Sequence, residues 1–175
     1  MRILQKKEIK KLNKETKQNK EIILIVENMQ YARNVAELFR VADALKVKKV
    51  YLTGISQKPP FGKDLQKVSR TKENHIPWEY TEKLHNLIIK LKKDEFNILA
   101  LELTDESLPV NIYLRKKLSE KIAIIVGNEV YGITKETLSF CNESVHLPMY
   151  GKGSSLNVTV SLGILLYLLS LDFIN

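Results

Sequence analysis

Five short, mainly apolar runs with little alternation constrain this chain more than any other feature. Ile22–Val26 is continuous, rich in β-branched residues, and ends in Glu27-Asn28. Val47–Leu52 ends at Thr53-Gly54, and Phe96–Leu103, Ile122–Val126 and Val145–Met149 complete the set. A strand lying half in water alternates polar and apolar residues. Unbroken runs instead predict strands covered on both faces, as in a parallel sheet. Between them, Val35, Leu38, Phe39, Ala42 and Leu45 have the spacing of one helical face, predicting a helix over Arg33–Leu45. Thr81–Lys93 repeats the pattern with Leu84, Leu87, Ile88 and Leu91, and shorter and longer helices are expected over Lys135–Phe140 and Ser155–Ser170. Strands alternating with helices give an α/β fold, a mainly parallel sheet with helices on both faces. Pro59-Pro60-Phe61-Gly62 reads as a loop inside the domain, and 175 residues suit one core.

The formal charge of +8 is unevenly placed. Residues 1–21 hold eight Lys and Arg against three Glu, a net of +5, which divides the chain into a basic arm over 1–21, expected to be helical, and a domain over 22–175. A short basic arm suits a polyanion, although a lysine run on its own is more often just a solvated face. The single cysteine, Cys141, excludes an internal disulfide and any multi-cysteine metal site, and His75, His85 and His146 are scattered. HExxH, CxxC and GxSxG are missing, so no metal is expected. The longest apolar stretch, Leu162–Leu169, is far short of a membrane span. With no cleavage site of small residues after the basic start, a cytoplasmic protein is expected.

The final helix is apolar around most of its circumference, through Leu156, Val158, Val160, Leu162, Ile164, Leu165, Leu166, Leu168 and Leu169. Such a helix must be covered on every side. In a chain of this size one side lies near the surface, so a second copy is expected to cover it as a homodimer.

In open α/β sheets ligands bind at the carboxyl ends of the strands, and three ends stand out. Ile122–Val126 runs into Gly127-Asn128-Glu129-Val130-Tyr131-Gly132, where two glycines bracket an acid. The plain alternative is a strand-to-helix turn. Val145–Met149 leads through Tyr150-Gly-Lys-Gly-Ser-Ser155-Leu156-Asn157 into the last helix, whose Ser and Asn could simply be caps. The first strand is followed by a helix bearing Asn34 and Arg40; Arg40 could pair with Glu37 or Asp43, or grip a phosphate. Neither GxxxxGK[ST] nor GxGxxG is present, which argues against a generic nucleotide-binding domain.

These three ends, in this order, resemble the SpoU (TrmH-type) family of the SPOUT methyltransferases. Asn34-Val-Ala-Glu-Leu-Phe-Arg40 looks like its first motif, Val126-Gly-Asn-Glu-Val-Tyr-Gly132 its second, and Leu147-Pro-Met-Tyr-Gly-Lys-Gly-Ser-Ser-Leu-Asn-Val-Thr-Val160 its third. Ser69-Arg-Thr through Ile76-Pro-Trp-Glu-Tyr80 is similar to a stretch of compact members. The resemblance covers nearly all of the chain from about residue 22. It implies a SPOUT fold with a C-terminal trefoil knot, a homodimer with its site near the interface, S-adenosyl-L-methionine as cofactor, and methylation of a ribose 2′-hydroxyl in RNA, with tRNA slightly favoured over rRNA. It further implies that Leu103, Thr104, Gly127, Leu147, Met149, Ser155 and Leu156 line the cofactor pocket, that Glu129, Ser155 and Asn157 order the knotted loops, and that Asn34 and Arg40 face the RNA.

Tyr131 is bulky for its place in the second motif and is expected to shape the pocket. Arg40 is the family's usual candidate for assisting removal of the 2′-hydroxyl proton, yet free guanidinium stays protonated, so clamping the neighbouring phosphate is an equal reading. Two rivals share the scaffold: a non-catalytic RNA-binding protein, and an enzyme that methylates a base atom.

Overall fold

The computed structural model describes residues 2–15 and 19–171. Its centre is one sheet of seven strands, all parallel: β1 (Glu21–Glu27), β2 (Lys49–Thr53), β3 (Trp78–Thr81), β4 (Asn97–Leu101), β5 (Leu108–Pro109), β6 (Lys121–Val126) and β7 (Glu143–His146), in the spatial order β3-β2-β1-β6-β4-β7-β5. The helices are α1 (Lys6–Glu15), α2 (Ala32–Ala44), α3 (Lys63–Ser69), α4 (Leu84–Lys93), α5 (Val110–Tyr113), α6 (Lys135–Ser139) and α7 (Val158–Ser170).

The apolar runs become central strands because neither of their faces meets water. Alternate residues of one strand serve opposite cores. Leu24, Val26, Ile124 and Val126 pack under α2 and α7, against Leu38, Phe39, Leu162, Leu165, Leu166 and Leu169. Ile23, Ile25, Ile98 and Ile125 pack on the other side beneath Leu84, Leu87, Ile88 and Leu91 of α4. Each such fully buried aliphatic side chain contributes about 1.5–3 kcal/mol. The two purest runs lie side by side, Ile22 opposite Ile122 and Val26 opposite Val126, so β6 occupies the middle of the sheet between β1 and β4.

Boundaries shift where caps intervene. The helix expected from Ser155 begins at Val158, because the Asn157 side chain accepts the Thr159 amide and stops the helix there. The Phe96–Leu103 run yields only Asn97–Leu101 as strand, and Thr81–Lys93 only Leu84–Lys93 as helix.

Helix α7 leaves Val160, Ile164, Tyr167 and Leu171 along one exposed face, 48%, 39%, 57% and 38% accessible. In the arm, Arg2 donates to both carboxylate oxygens of Glu8, which holds that carboxyl down at about 2. Arg2 is therefore not a free cation. The side chains of Lys6, Lys10, Lys14 and Lys17, counted in the arm's charge, lie outside the described residues. No helix among the described residues is long and apolar enough to cross a membrane.

Candidate active site

A cleft of about 830 Å³ opens where β4, β6 and β7 end. Its walls are Leu101, Glu102 and Leu103 after β4, Gly127–Val130 and Gly132 after β6, His146–Met149 after β7, and Ser154–Val158 with Ser161 at the start of α7; Tyr31 and Asn34 close it from α2. The volume lies within the roughly 300–1,000 Å³ of pockets for small ligands and cofactors. Apolar side chains dominate the β4 and β7 walls, and polar groups gather at the α2 side.

One hydrogen-bonded chain ties the three segments together. Glu129 accepts the Asn34 amide at 2.7 Å and the backbone N–H groups of Gln30 at 2.8 Å and Tyr31 at 3.1 Å. Helix α2 has no side-chain cap of its own, so a carboxylate from another loop sits at its start, where helices favour negative charge. The Asn34 carbonyl oxygen accepts from Asn157 at 3.2 Å, and Asn157 in turn caps α7 by accepting from the Thr159 N–H at 2.8 Å. The Thr159 hydroxyl lies 2.6 Å from the Asn157 side-chain oxygen and 3.1 Å from Glu37, and donates its single proton between these two acceptors. The side-chain orientation of Asn34 follows from its donors and acceptors. Its NH₂ meets a carboxylate and its oxygen meets an amide.

The β6 loop is held rigidly. The Asn128 and Gly132 backbones bond each other both ways, at 3.0 and 2.9 Å, and the Asn128 side chain accepts from the N–H groups of Val130 and Tyr131. Gly132 has φ +68°, and a Cβ there would fall 2.4 Å from a Glu102 oxygen. A Cβ on Gly127 would fall 2.3 Å from the Gly132 carbonyl carbon. Both positions need glycine, one for conformation and one for close approach.

Of the residues singled out by sequence, Asn34, Leu103, Gly127, Glu129, Leu147, Met149, Ser155, Leu156 and Asn157 line this cleft. Two do not. Thr104 turns away, bonding Ser144 of β7 through its hydroxyl at 3.1 Å and Ser107 through its N–H. Arg40 lies on α2 beyond the cleft, exposed, its side chain making no hydrogen bond or ion pair among the described residues. Its expected partners are engaged elsewhere: Glu37 with Arg33 and Thr159, Asp43 with Lys72. Tyr131 does not shape the cleft; it stands outward at 85% accessibility.

Sequence reasoning missed Glu102, which lines the cleft and braces its floor by accepting from the N–H groups of Leu103 and Ile133, each at 3.0 Å. It also missed Glu27, buried at the end of β1 and bonded to the Thr134 and Thr137 hydroxyls. The available signal was an acid terminating a wholly apolar strand. Among the described residues no group of three His, Cys, Asp or Glu could hold a metal ion.

The model of the SpoU rRNA Methylase family matches residues 21–167. The tRNA (guanosine(18)-2'-O)-methyltransferase of Aquifex aeolicus is 30% identical over 154 residues, covering 86% of this chain and 69% of that protein. Several other curated relatives are covered over only 56–64% of their length. The crystal structure of the A. aeolicus TrmH/SpoU tRNA modifying enzyme superposes with a TM-score of 0.75 at 23% identity, over 94% of this chain and 81% of that one. An AdoMet-bound rRNA methyltransferase from Sinorhizobium meliloti gives 0.75 at 18% identity, over 91% and 59%.

Proposed function

The chain belongs to the SpoU rRNA Methylase family, and we propose that it transfers a methyl group from S-adenosylmethionine to a ribose 2′-hydroxyl of RNA, with tRNA favoured over rRNA. The observation that carries this reading is the bonded chain Glu129–Asn34–Asn157, which locks the three motif segments around one cleft of cofactor size. The A. aeolicus relative's name supports ribose in tRNA, and the S. meliloti structure supports the cofactor.

The residues present suit S-adenosylmethionine. Leu101, Leu103, Leu147, Met149 and Leu156 offer apolar walls to an adenine, while Ser155 and Asn157 offer polar groups to a ribose or an amino-acid moiety. When bound, the cofactor supplies an electrophilic methyl group on a sulfonium. The protein's part is positioning, which converts a bimolecular transfer into an in-line one. Glu129, Asn34 and Asn157 fix the loops that hold the donor. Arg40 grips the RNA phosphate beside the acceptor ribose, so that the hydroxyl points along the line of transfer.

The free guanidinium of Arg40 lies outside its own cleft. It lies on α2, the helix that packs against α7 with a Val41 methyl group 3.9 Å from where a Cβ on Gly163 would lie. A homodimer joined through the exposed apolar face of α7 carries Arg40 across the interface towards the second cleft. The trefoil knot belongs to the same reading. It is supported by β6 lying between β1 and β4, and by residues 147–157 returning from β7, beyond β4, to α7 on the β1 side.

The test is transfer of labelled methyl from S-adenosylmethionine to total RNA, followed by alkaline hydrolysis. Label in alkali-resistant dinucleotides identifies a 2′-O-methyl product. Label in mononucleotides means a methylated base, and no label removes the activity.

A further inference from the structure

Besides Tyr31, which lines the cleft, two far more exposed tyrosines ride on its wall segments and belong to neither core. Tyr131 is 85% accessible at the tip of the β6 loop, and Tyr150 is 96% accessible in the segment after β7. Their sequence neighbours Val130, Gly132 and Met149 line the cleft itself, so the two rings are carried outward by segments that form two different walls of it. Tyr51 and Tyr113 are buried, and the Tyr80 hydroxyl bonds the Gly54 carbonyl. The hydroxyls of Tyr131 and Tyr150 have no hydrogen-bond partner among the described residues.

The two rings are presented differently. Tyr131 rides on the turn closed by Asn128 and Gly132, whose base is tied to β1 by the Asn128 amide donating to the Asn28 carbonyl at 2.8 Å. A rigid turn with an apolar tip, Val130-Tyr131, costs solubility and returns nothing to the fold. It does remove most of the ordering cost of docking a flat partner. Tyr150 precedes Gly151-Lys152-Gly153, where a Cβ on either glycine would meet nothing within 4 Å, so this ring has room to adjust. Lys152 is exposed beside it and adds positive charge to a chain already at +8. Flat aromatic surface next to a cation is the surface that takes nucleobases, each stacked base contributing enough for a roughly 5- to 100-fold change in affinity.

Building on the RNA reading of this cleft, we infer that Tyr131 and Tyr150 are stacking platforms for the bases flanking the acceptor ribose, holding that nucleotide open over the site. Stacking needs a ring and no hydroxyl, and unpaired RNA bases are the class that offers such faces.

The experiment uses the full chain and four variants, Tyr131→Ala, Tyr131→Phe, Tyr150→Ala and Tyr150→Phe. Affinity for unfractionated tRNA and rRNA is measured by filter binding. Sedimentation and calorimetry with S-adenosylhomocysteine serve as controls. Each Ala variant is expected to weaken binding to one of the RNAs by roughly 5- to 100-fold, and each Phe variant to stay near wild type. KM for RNA should rise in proportion while kcat holds, with cofactor affinity and subunit state unchanged. Ala variants that bind both RNAs like wild type overturn the inference. So do Phe variants as weak as Ala, or Ala variants that lose binding by falling apart into single chains. A wild-type protein that binds RNA through these rings but transfers no methyl group sinks the methylation reading alone.

Discussion

The Asn34 amide donates to the Glu129 carboxylate at 2.7 Å, joining positions 95 residues apart, and the same carboxylate holds the two backbone N–H groups that lead into α2. One side chain therefore fixes the start of a helix and the wall of the cleft together. Glu129→Ala leaves three donors without their acceptor. Charge-assisted bonds of this kind are worth about 1.5–3 kcal/mol each in net stability, less where solvent reaches them. A loss of about 2 kcal/mol in urea unfolding is expected, with cofactor affinity falling at least about tenfold. Glu129→Gln should lie between the two, because its amide keeps one acceptor but turns two N–H groups toward donors.

Gly127→Ala places a methyl group 2.3 Å from the Gly132 carbonyl carbon, so the β6 loop must move. Overpacking of this sort costs about 1–3 kcal/mol. Calorimetric titration with S-adenosylhomocysteine should show binding lost while circular dichroism keeps the α/β signature.

Arg40 faces solvent away from its own cleft, and its substitution separates binding from transfer. Arg40→Ala should abolish turnover and leave cofactor affinity within about twofold. If Arg40 serves the other subunit's cleft, mixing Arg40→Ala with a cleft variant, Met149→Arg, restores about a quarter of wild-type activity, since random pairing makes half the dimers mixed and each has one intact site. No recovery on mixing would return Arg40 to its own cleft.

The exposed face of α7 should hold the subunits together. Ile164→Asp puts a charge at its middle, where the native side chain is 39% accessible in the single chain. Sedimentation should show a shift from dimer to single chains, with methyl transfer lost in step. A variant that stays dimeric places the interface elsewhere.

Burial pushes the Cys141 thiol up to about 11 and Tyr113 up to about 12. Both groups keep protons in the folded state that the unfolded chain releases. Their contribution is complete below pH ~9, the ordinary thiol range, and is lost as pH rises towards 11–12. Unfolding free energies from urea titration should fall between pH 8 and pH 10.5 by on the order of 1 kcal/mol, and Cys141→Ala should flatten part of that slope. Iodoacetamide at pH 8 should modify Cys141 about a hundredfold more slowly than free cysteine.

The central strands and the helices covering them were legible because burial on two faces leaves a plain mark, an unbroken apolar run or a 3.6-residue stripe. Strands β3 and β5 and helices α3 and α5 left none. Trp78–Thr81 is only partly buried, and Leu108–Pro109 is too short to show a period. Asn34, Glu129, Ser155 and Asn157, from the three motif segments, line one cleft, while Arg40 of the first motif lies beyond it. Thr104 did not follow them, since a strand's exit direction depends on hydrogen bonds to Ser107 and Ser144 that lie 3 and 40 residues away. Glu102 and Glu27 were invisible for a similar reason: an acid's partners are backbone N–H groups and hydroxyls from distant loops, which no local pattern announces. Arg40 was named, but its freedom became visible only once Glu37 and Asp43 were seen bound to others.

The placement of β6 in the middle of the sheet also sets a timetable. Glu21 pairs with Lys121, a separation of 100 residues, so the first strand emerges from a ribosome long before its neighbour exists. At roughly 5–20 residues per second the wait is about 5–20 seconds, during which the Ile-rich edge of β1 is open to any other strand. Closing so wide a loop makes folding slow relative to chains with local contacts. A newborn copy of this protein is thus a client for whatever shelters sticky nascent chains, and raising its rate of synthesis should raise aggregation faster than yield.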